Sequence, residues 1–359
     1  MTRTVLAASL ALFMALPASA ASANEASDKV IANAIDGFIR PAYRQMVEIS
    51  GEMGEAMDQL CAAPSTEHLE AAREAFAKTT RAWSEVEIIR FGPITEHNRL
   101  ERMLFWPDRK GTGLKQVQAA IADEDATATD ATKLAEKSVA MQGLGALEFV
   151  LFGAGADELA DASATYRCAY GKAISGNIGI IAAEVDAAWH SDKGFAEQWK
   201  HPGSQNPLYR NATEAVTELL EVYVNGLELV RDVRVNGFLG KEAASDKPKQ
   251  ALYWRSKDTA ASLAGNIAGM KALFDASHFG SLLPADSEWI AQSIDFEFAN
   301  ALNTANAITG PIDVALADAD KRGKLSYFGV VTSSLSELFG TRLAGALGLT
   351  AGFSSLDGD

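Results

Sequence analysis

The chain has 359 residues, 48% of them hydrophobic, and its 47 acidic against 32 basic side chains give a formal net charge of -15. That balance disfavours nucleic acid and anionic lipid surfaces as partners, because both would be repelled. It suits a solvated envelope protein or one that meets cations.

Arg3 precedes an uncharged apolar run from Val5 to Leu16, and small residues follow through Ala18-Ser19-Ala20 and Ala21-Ser22-Ala23. This is the pattern of an export signal over residues 1–23, with the mature chain beginning near Ala21 or Asn24 and facing the periplasm. No cysteine ends the apolar run to accept lipid. No later stretch reaches the roughly 18 uncharged apolar residues of a membrane helix, so no transmembrane segment is expected in the mature chain. The roughly 336 residues that remain fit two domains of about 100–200 residues each.

Beyond the signal, nearly every long segment repeats apolar residues at helical spacing and none sustains a period of two, which predicts an all-α fold. A first helix is expected from Asp28 to near Leu60, kinked at Pro41. Ser65 or Thr66 caps a second, with Glu67 and Glu70 in its first turn, running to about Phe91 where Gly92-Pro93 stops it. The stretch from Trp106 to Gly113 reads as a turn-rich break, and Asp123 to Asp130 as an acidic connection. Helices are then expected from about Ala131 to Phe152 and from Leu159 to His190, separated by Gly153 to Gly155. Residues 191–207, with Gly194, Pro202, Gly203 and Pro207, break the periodicity and mark a domain boundary between residues 24–193 and 205–359. Further helices are expected over 208–232, 249–275, 285–308 and 320–345. Two groups of about four long helices predict two tandem helical bundles, each like a four-helix bundle.

The chain has two cysteines, Cys61 and Cys168. Export to an oxidising compartment predicts a disulfide between them.

Among the ionisable residues, Glu148 carries the most information. It is the only charge between Lys137 and Asp157, on a segment apolar all round, so its carboxylate is expected to be buried. A buried carboxylate must meet a cation, pair with an arginine, or stay protonated. Arg90 and Arg102 are the partners considered for the second case. Trp83, Glu87 and Arg90 fall at i, i+4 and i+7, one stripe of the second helix, which could line a cleft against Glu148 and the Trp106-Pro107-Asp108 turn. Alternatively Trp83 is core and Glu87–Arg90 a surface pair. His97 and Glu101 would share a helix face and could hold a metal, although that run is charged enough to be a solvated surface. The run Tyr253-Trp254-Arg255-Ser256-Lys257-Asp258 reads as a helix entry, or as a face turned to the first domain. The remaining histidines, His68, His190, His201 and His278, lie in polar contexts. The acidic Asp357-Gly358-Asp359 reads as a frayed terminus.

Gly143-Leu144-Gly145-Ala146-Leu147-Glu148 resembles the Gly-x-His-x-x-Glu motif of imelysin-like proteins, with Gly145 where that family has His. The run from Arg81-Ala82-Trp83 to Arg90-Phe91-Gly92-Pro93-Ile94, then Trp106-Pro107-Asp108, Tyr166-Arg167-Cys168, Gly352-Phe353 and Leu356-Asp357-Gly358-Asp359, is similar to the predicted-lipoprotein branch of the family. The resemblance spans most of the mature chain. It implies two helical bundle domains, an envelope location and an association with iron uptake, together with a metallopeptidase label. Peptidase activity is disfavoured, because loss of the motif His leaves one carboxylate where a zinc enzyme typically uses three protein ligands, and no His-Glu-x-x-His stretch occurs.

The expected function is that of an exported binding or accessory protein of iron or other metal uptake, with its site in the cleft between the bundles. Glu148 is its acidic centre and metal-facing group, with Arg90, Asp108, Glu87 and Trp106 as ligand-binding neighbours. The expected ligand is iron or another divalent cation held through oxygen, or an organic or peptide molecule bound through Arg90 and the aromatics. An envelope iron-transport component is the expected protein partner. The rival readings are a metallopeptidase and a non-catalytic interaction module in which Glu148 is half of a salt bridge.

Overall fold

The structure is a computed structural model that describes residues 18–350, with side chains from residue 24 onward. The export signal expected over residues 1–23 and the terminal residues 351–359, which include Gly352-Phe353 and Asp357-Gly358-Asp359, lie outside the residues so described.

The fold is all-α, with no strand among the described residues. Helix α1 (Ala18–Ala34) packs on the second bundle, and the first is built from α2 (Arg40–Ala62), α3 (Thr66–Val86), α4 (Leu144–Phe152) and α5 (Thr165–Trp189). The second is built from α6 (Ala212–Glu228), α7 (Thr259–Ser277), α8 (Trp289–Asn306) and α9 (Ala319–Glu337). Each long helix buries an apolar stripe of the kind that α2 shows in Tyr43, Met46, Met53, Met57 and Leu60. Pro41 stands in the first turn of α2, where its missing N–H is harmless, and the expected kink takes the form of a π turn over Ile35–Ile39 just before it. Ser65 caps α3 as expected, its hydroxyl accepting from His68 N at 3.1 Å.

Several boundaries differ from the periodicity. The second helix ends at Val86 rather than near Phe91, because Ile88 and Ile89 turn inward and are buried. The helix expected from Ala131 to Phe152 is broken into Ala131–Ala135, a turn at Val139–Met141 and α4. Gly143 makes the break. Its φ is +99°, and a β-carbon there would lie 2.2 Å from the Arg102 carbonyl oxygen, so only glycine lets the two chain segments approach this closely. The helix expected from Leu159 begins at Thr165, after a separate turn over Ala156–Ala160. The helix expected over 249–275 begins at Thr259, because Tyr253 and Lys257 hold φ of +58° and +69°, which no right-handed helix contains. Within 191–207 a short helix, Phe195–Lys200, buries Trp199 against Phe91 at a ring separation of 4.9 Å and donates its indole N–H to Ala215 O at 2.9 Å.

The two bundles share one continuous core. Helix α3 crosses α7 closely: β-carbons at Gly265 and Gly269 would lie 2.8 Å from the Ser84 side chain and 2.0 Å from the Glu85 carbonyl oxygen. Helix α1 also packs on α6 and α7. Cys61 and Cys168 form the expected disulfide, with Cα atoms 5.6 Å apart, tying the end of α2 to the start of α5. No described helix is long and apolar enough to cross a membrane.

Candidate functional site

Three carboxylates are buried where the bundles meet, Glu148, Glu87 and Asp258, the last facing Arg81 of α3 at 3.9 Å. Glu148, on α4, is 5% exposed. Its Oε1 accepts from Arg255 N and Ser256 N, each at 3.0 Å, and from Ser256 Oγ at 3.2 Å, while Arg255 Nη1 stands 4.0 Å from Oε2. Burial pushes the carboxyl above its ordinary range, and the Ser256 and Arg255 donors pull only part of the way back. The arginines expected as partners are elsewhere. Arg102 donates to Gln142 Oε1 at 3.0 Å and to Asn177 Oδ1 at 2.7 Å, and Arg90 lies in a pocket wall away from Glu148. The Tyr253–Asp258 run is the entry to α7, with Asp258 at its N-cap position, and it faces the first bundle as well. It is a tight turn whose backbone N–H groups face Glu148 of the other bundle, and Arg255 stacks on Trp254 with its guanidinium 4.6 Å from the ring centre.

Glu87 follows the last residue of α3 and is 3% exposed. It pairs with Arg234, itself 2% exposed, and not with Arg90 on a surface. Arg234 Nη1 also donates to Ser262 Oγ at 2.8 Å and to Asn266 Oδ1, and Asn266 Nδ2 donates to Ser84 O at 2.7 Å. This network joins the end of α3 to α7 and satisfies Glu87 on the bundle interface. Tyr253 is buried within the field of both Glu87 and Glu148. Burial and the charges of Glu87 and Glu148 push its hydroxyl well above the ordinary tyrosine range, and that hydroxyl has no hydrogen-bond partner.

A cavity of about 160 Å³ opens beside this network, with Trp83, Glu87, Arg90, Glu101, Phe105 and Trp106 in its wall. The Arg234 guanidinium stands 5.8 Å from the centre of the Trp106 ring, behind that wall. The structure thus brings together three of the expected site residues, Glu87, Arg90 and Trp106. The helical stripe accounts for Trp83 and Glu87 only, since Arg90 reaches the cavity from the loop after α3. Asp108 accepts from Thr112 N at 2.6 Å and Leu114 N at 3.2 Å, fixing the start of the helix Thr112–Ala122 outside the cavity lining. Glu148 does not line the cavity either. It meets the same interface at the Arg255–Ser256 turn.

His97 and Glu101 do not share a helix face. His97 and Asn98 are left-handed, with φ of +54° and +53°, and the helix begins only at Arg99. Gly145 is exposed and a β-carbon there would meet nothing within 4 Å. Among the described residues, no group of three His, Cys, Asp or Glu side chains is arranged to hold a metal ion. The residue that sequence reasoning missed is Arg234. Its signal was present, because Leu227, Val230 and Arg234 lie at i, i+3 and i+7 on one buried face.

The family model for imelysin, classed among peptidases, matches residues 39–337. Iron-regulated protein A of Synechococcus elongatus is 24% identical over 329 residues, covering 86% of this chain and 82% of that protein. Among solved structures, an imelysin-like protein from Psychrobacter arcticum superposes with a TM-score of 0.72 at 22% identity, covering 92% of this chain and 98% of that one. A protein of Parabacteroides distasonis described in relation to iron-regulated protein A superposes with a TM-score of 0.74 at 16% identity, covering 90% and 95%.

Proposed function

Because this chain belongs to the imelysin family, we propose that it acts as an exported, periplasm-facing binding or accessory protein of iron or other metal uptake, with its ligand held in the cleft between the bundles. The name of the Synechococcus relative supports the association with iron, and the observation that carries the location is the cavity walled by Glu87, Arg90, Glu101 and Trp106. Three chemically distinct side chains converge there on a rigid interface, as binding sites between packed elements do. Glu148 has a supporting part in this reading. Its carboxylate holds the 253–258 turn against α4 and thereby fixes the wall that Arg234 and Tyr253 support.

A cation entering this cleft would be held through oxygen, as hard cations prefer, with Glu101 the carboxylate left open to it. The test is elemental analysis and calorimetric titration of the mature protein with ferrous, ferric and zinc ions, alongside Glu101→Gln and Glu148→Gln. Stoichiometric binding lost in Glu101→Gln supports a cation in the cleft. Binding lost only in Glu148→Gln moves the metal to the buried carboxylate. Absence of binding in every sample removes the free ion as ligand.

A further inference from the structure

Resting on the cleft reading above, we propose that the cavity recognises a small carboxylate carrying a hydroxyl or ammonium group on the adjoining carbon. The argument begins with which polar groups in the wall are already satisfied. Glu87 is taken by Arg234. Among the described residues, the Arg90 and Glu101 side chains make no hydrogen bond or ion pair, although both residues line the cavity. Trp83 is fully buried, lines the same cavity, and its indole N–H has no acceptor. The fully buried Trp189 indole lacks an acceptor in the same way, so the Trp83 N–H marks no ligand atom and the open polar groups of the wall are Arg90 and Glu101.

The cavity therefore presents one free donor, the Arg90 guanidinium, and one free acceptor, the Glu101 carboxylate, beside the aromatic wall of Trp106. A planar carboxylate matches the guanidinium fork with two parallel hydrogen bonds. Once that anion is bound, Glu101 is the remaining unpaired charge and calls for a donor on the same ligand. An α-hydroxyl or α-ammonium group supplies it without adding length. The free groups of the wall sum to zero charge, which favours a zwitterion or a monoanionic hydroxy acid over a polyanion. At about 160 Å³ the cavity is smaller than the roughly 300–1,000 Å³ of sites for drug-sized molecules, which keeps the ligand to a few carbons against Leu100, Leu104 and Trp106.

The experiment is calorimetry and tryptophan fluorescence of the mature protein with L-alanine and L-leucine as amino acids, L-lactate and glycolate as hydroxy acids, propionate as the acid lacking a donor, and ferric ion alone. At least one α-substituted acid should bind stoichiometrically, and the amino and hydroxy arms identify which donor Glu101 takes. Propionate should bind at least about tenfold more weakly, and Arg90→Gln should weaken the preferred acid by at least about tenfold, the loss of one charge-assisted contact. Arg90 is partly exposed, so its variant should keep the wild-type melting temperature. Ferric binding lost in Glu101→Gln, with no acid bound in the millimolar range, would overturn the ligand class and leave the cleft as the site. Acid binding unchanged in Arg90→Gln would overturn both the ligand class and the cleft.

Discussion

Replacing Glu148 by glutamine and by alanine separates the two things this carboxylate does, holding a turn and carrying a buried charge. Glutamine keeps an oxygen where Oε1 accepts from Arg255 N and Ser256 N, whereas alanine leaves both backbone donors buried without an acceptor. Ser256 Oγ keeps a second acceptor in Tyr253 O at 3.2 Å, so two donors are orphaned rather than three. At about 1–2 kcal/mol per orphaned donor, plus the lost side-chain packing, alanine should be about 3 kcal/mol less stable than glutamine. With an unfolding entropy of about 2 cal/mol/K per residue over the chain, that corresponds to a melting temperature lower by about 4–5 °C. The charge enters with the opposite sign. Burial raises the carboxyl above its ordinary 4.5, so the folded state favours the protonated form. Wild type should therefore hold its advantage over Glu148→Gln below about pH 4.5 and lose it as pH rises through the folded value. Scanning calorimetry of the three proteins between pH 4 and 8 reads both effects. An alanine variant as stable as glutamine, or a wild-type advantage over glutamine that grows with pH, would refute the account.

Gly143→Ala should cost more than about 3 kcal/mol, because it forces a β-carbon onto the Arg102 carbonyl at positive φ, whereas Gly145→Ala, exposed and unhindered on α4, should raise stability by up to about 1 kcal/mol; melting curves of the pair check both. Arg234→Met should cost about 3–5 kcal/mol by leaving Glu87 buried and unpaired, and adding Glu87→Gln should recover most of it in chemical denaturation. Reducing Cys61–Cys168, which closes a separation of 107 residues, should lower unfolding free energy by about 4–5 kcal/mol in the chain-entropy model, read from denaturation with and without a thiol reductant.

The sequence by itself determined what is written locally: an all-α chain, the Ser65 cap, long helices where apolar residues recur every three or four positions, and a buried Glu148 as the one charge in an apolar run. The disulfide was also legible, because a chain read as exported, with two cysteines, has a single way to pair them internally. Only the tertiary structure decided the partners. Glu148 is met by Arg255 and Ser256 more than 100 residues away, and Glu87 by Arg234 at a separation of 147. Both pairings follow from how closely α3 crosses α7 at Gly265 and Gly269, a distance that no helical period encodes. The helix breaks at Gly143 and in the Tyr253–Lys257 turn are of the same kind. Their backbone torsions are set by chain segments remote in sequence, one pressing its carbonyl on Gly143 and the other presenting the Glu148 carboxylate, so apolar spacing read along the chain runs straight through them.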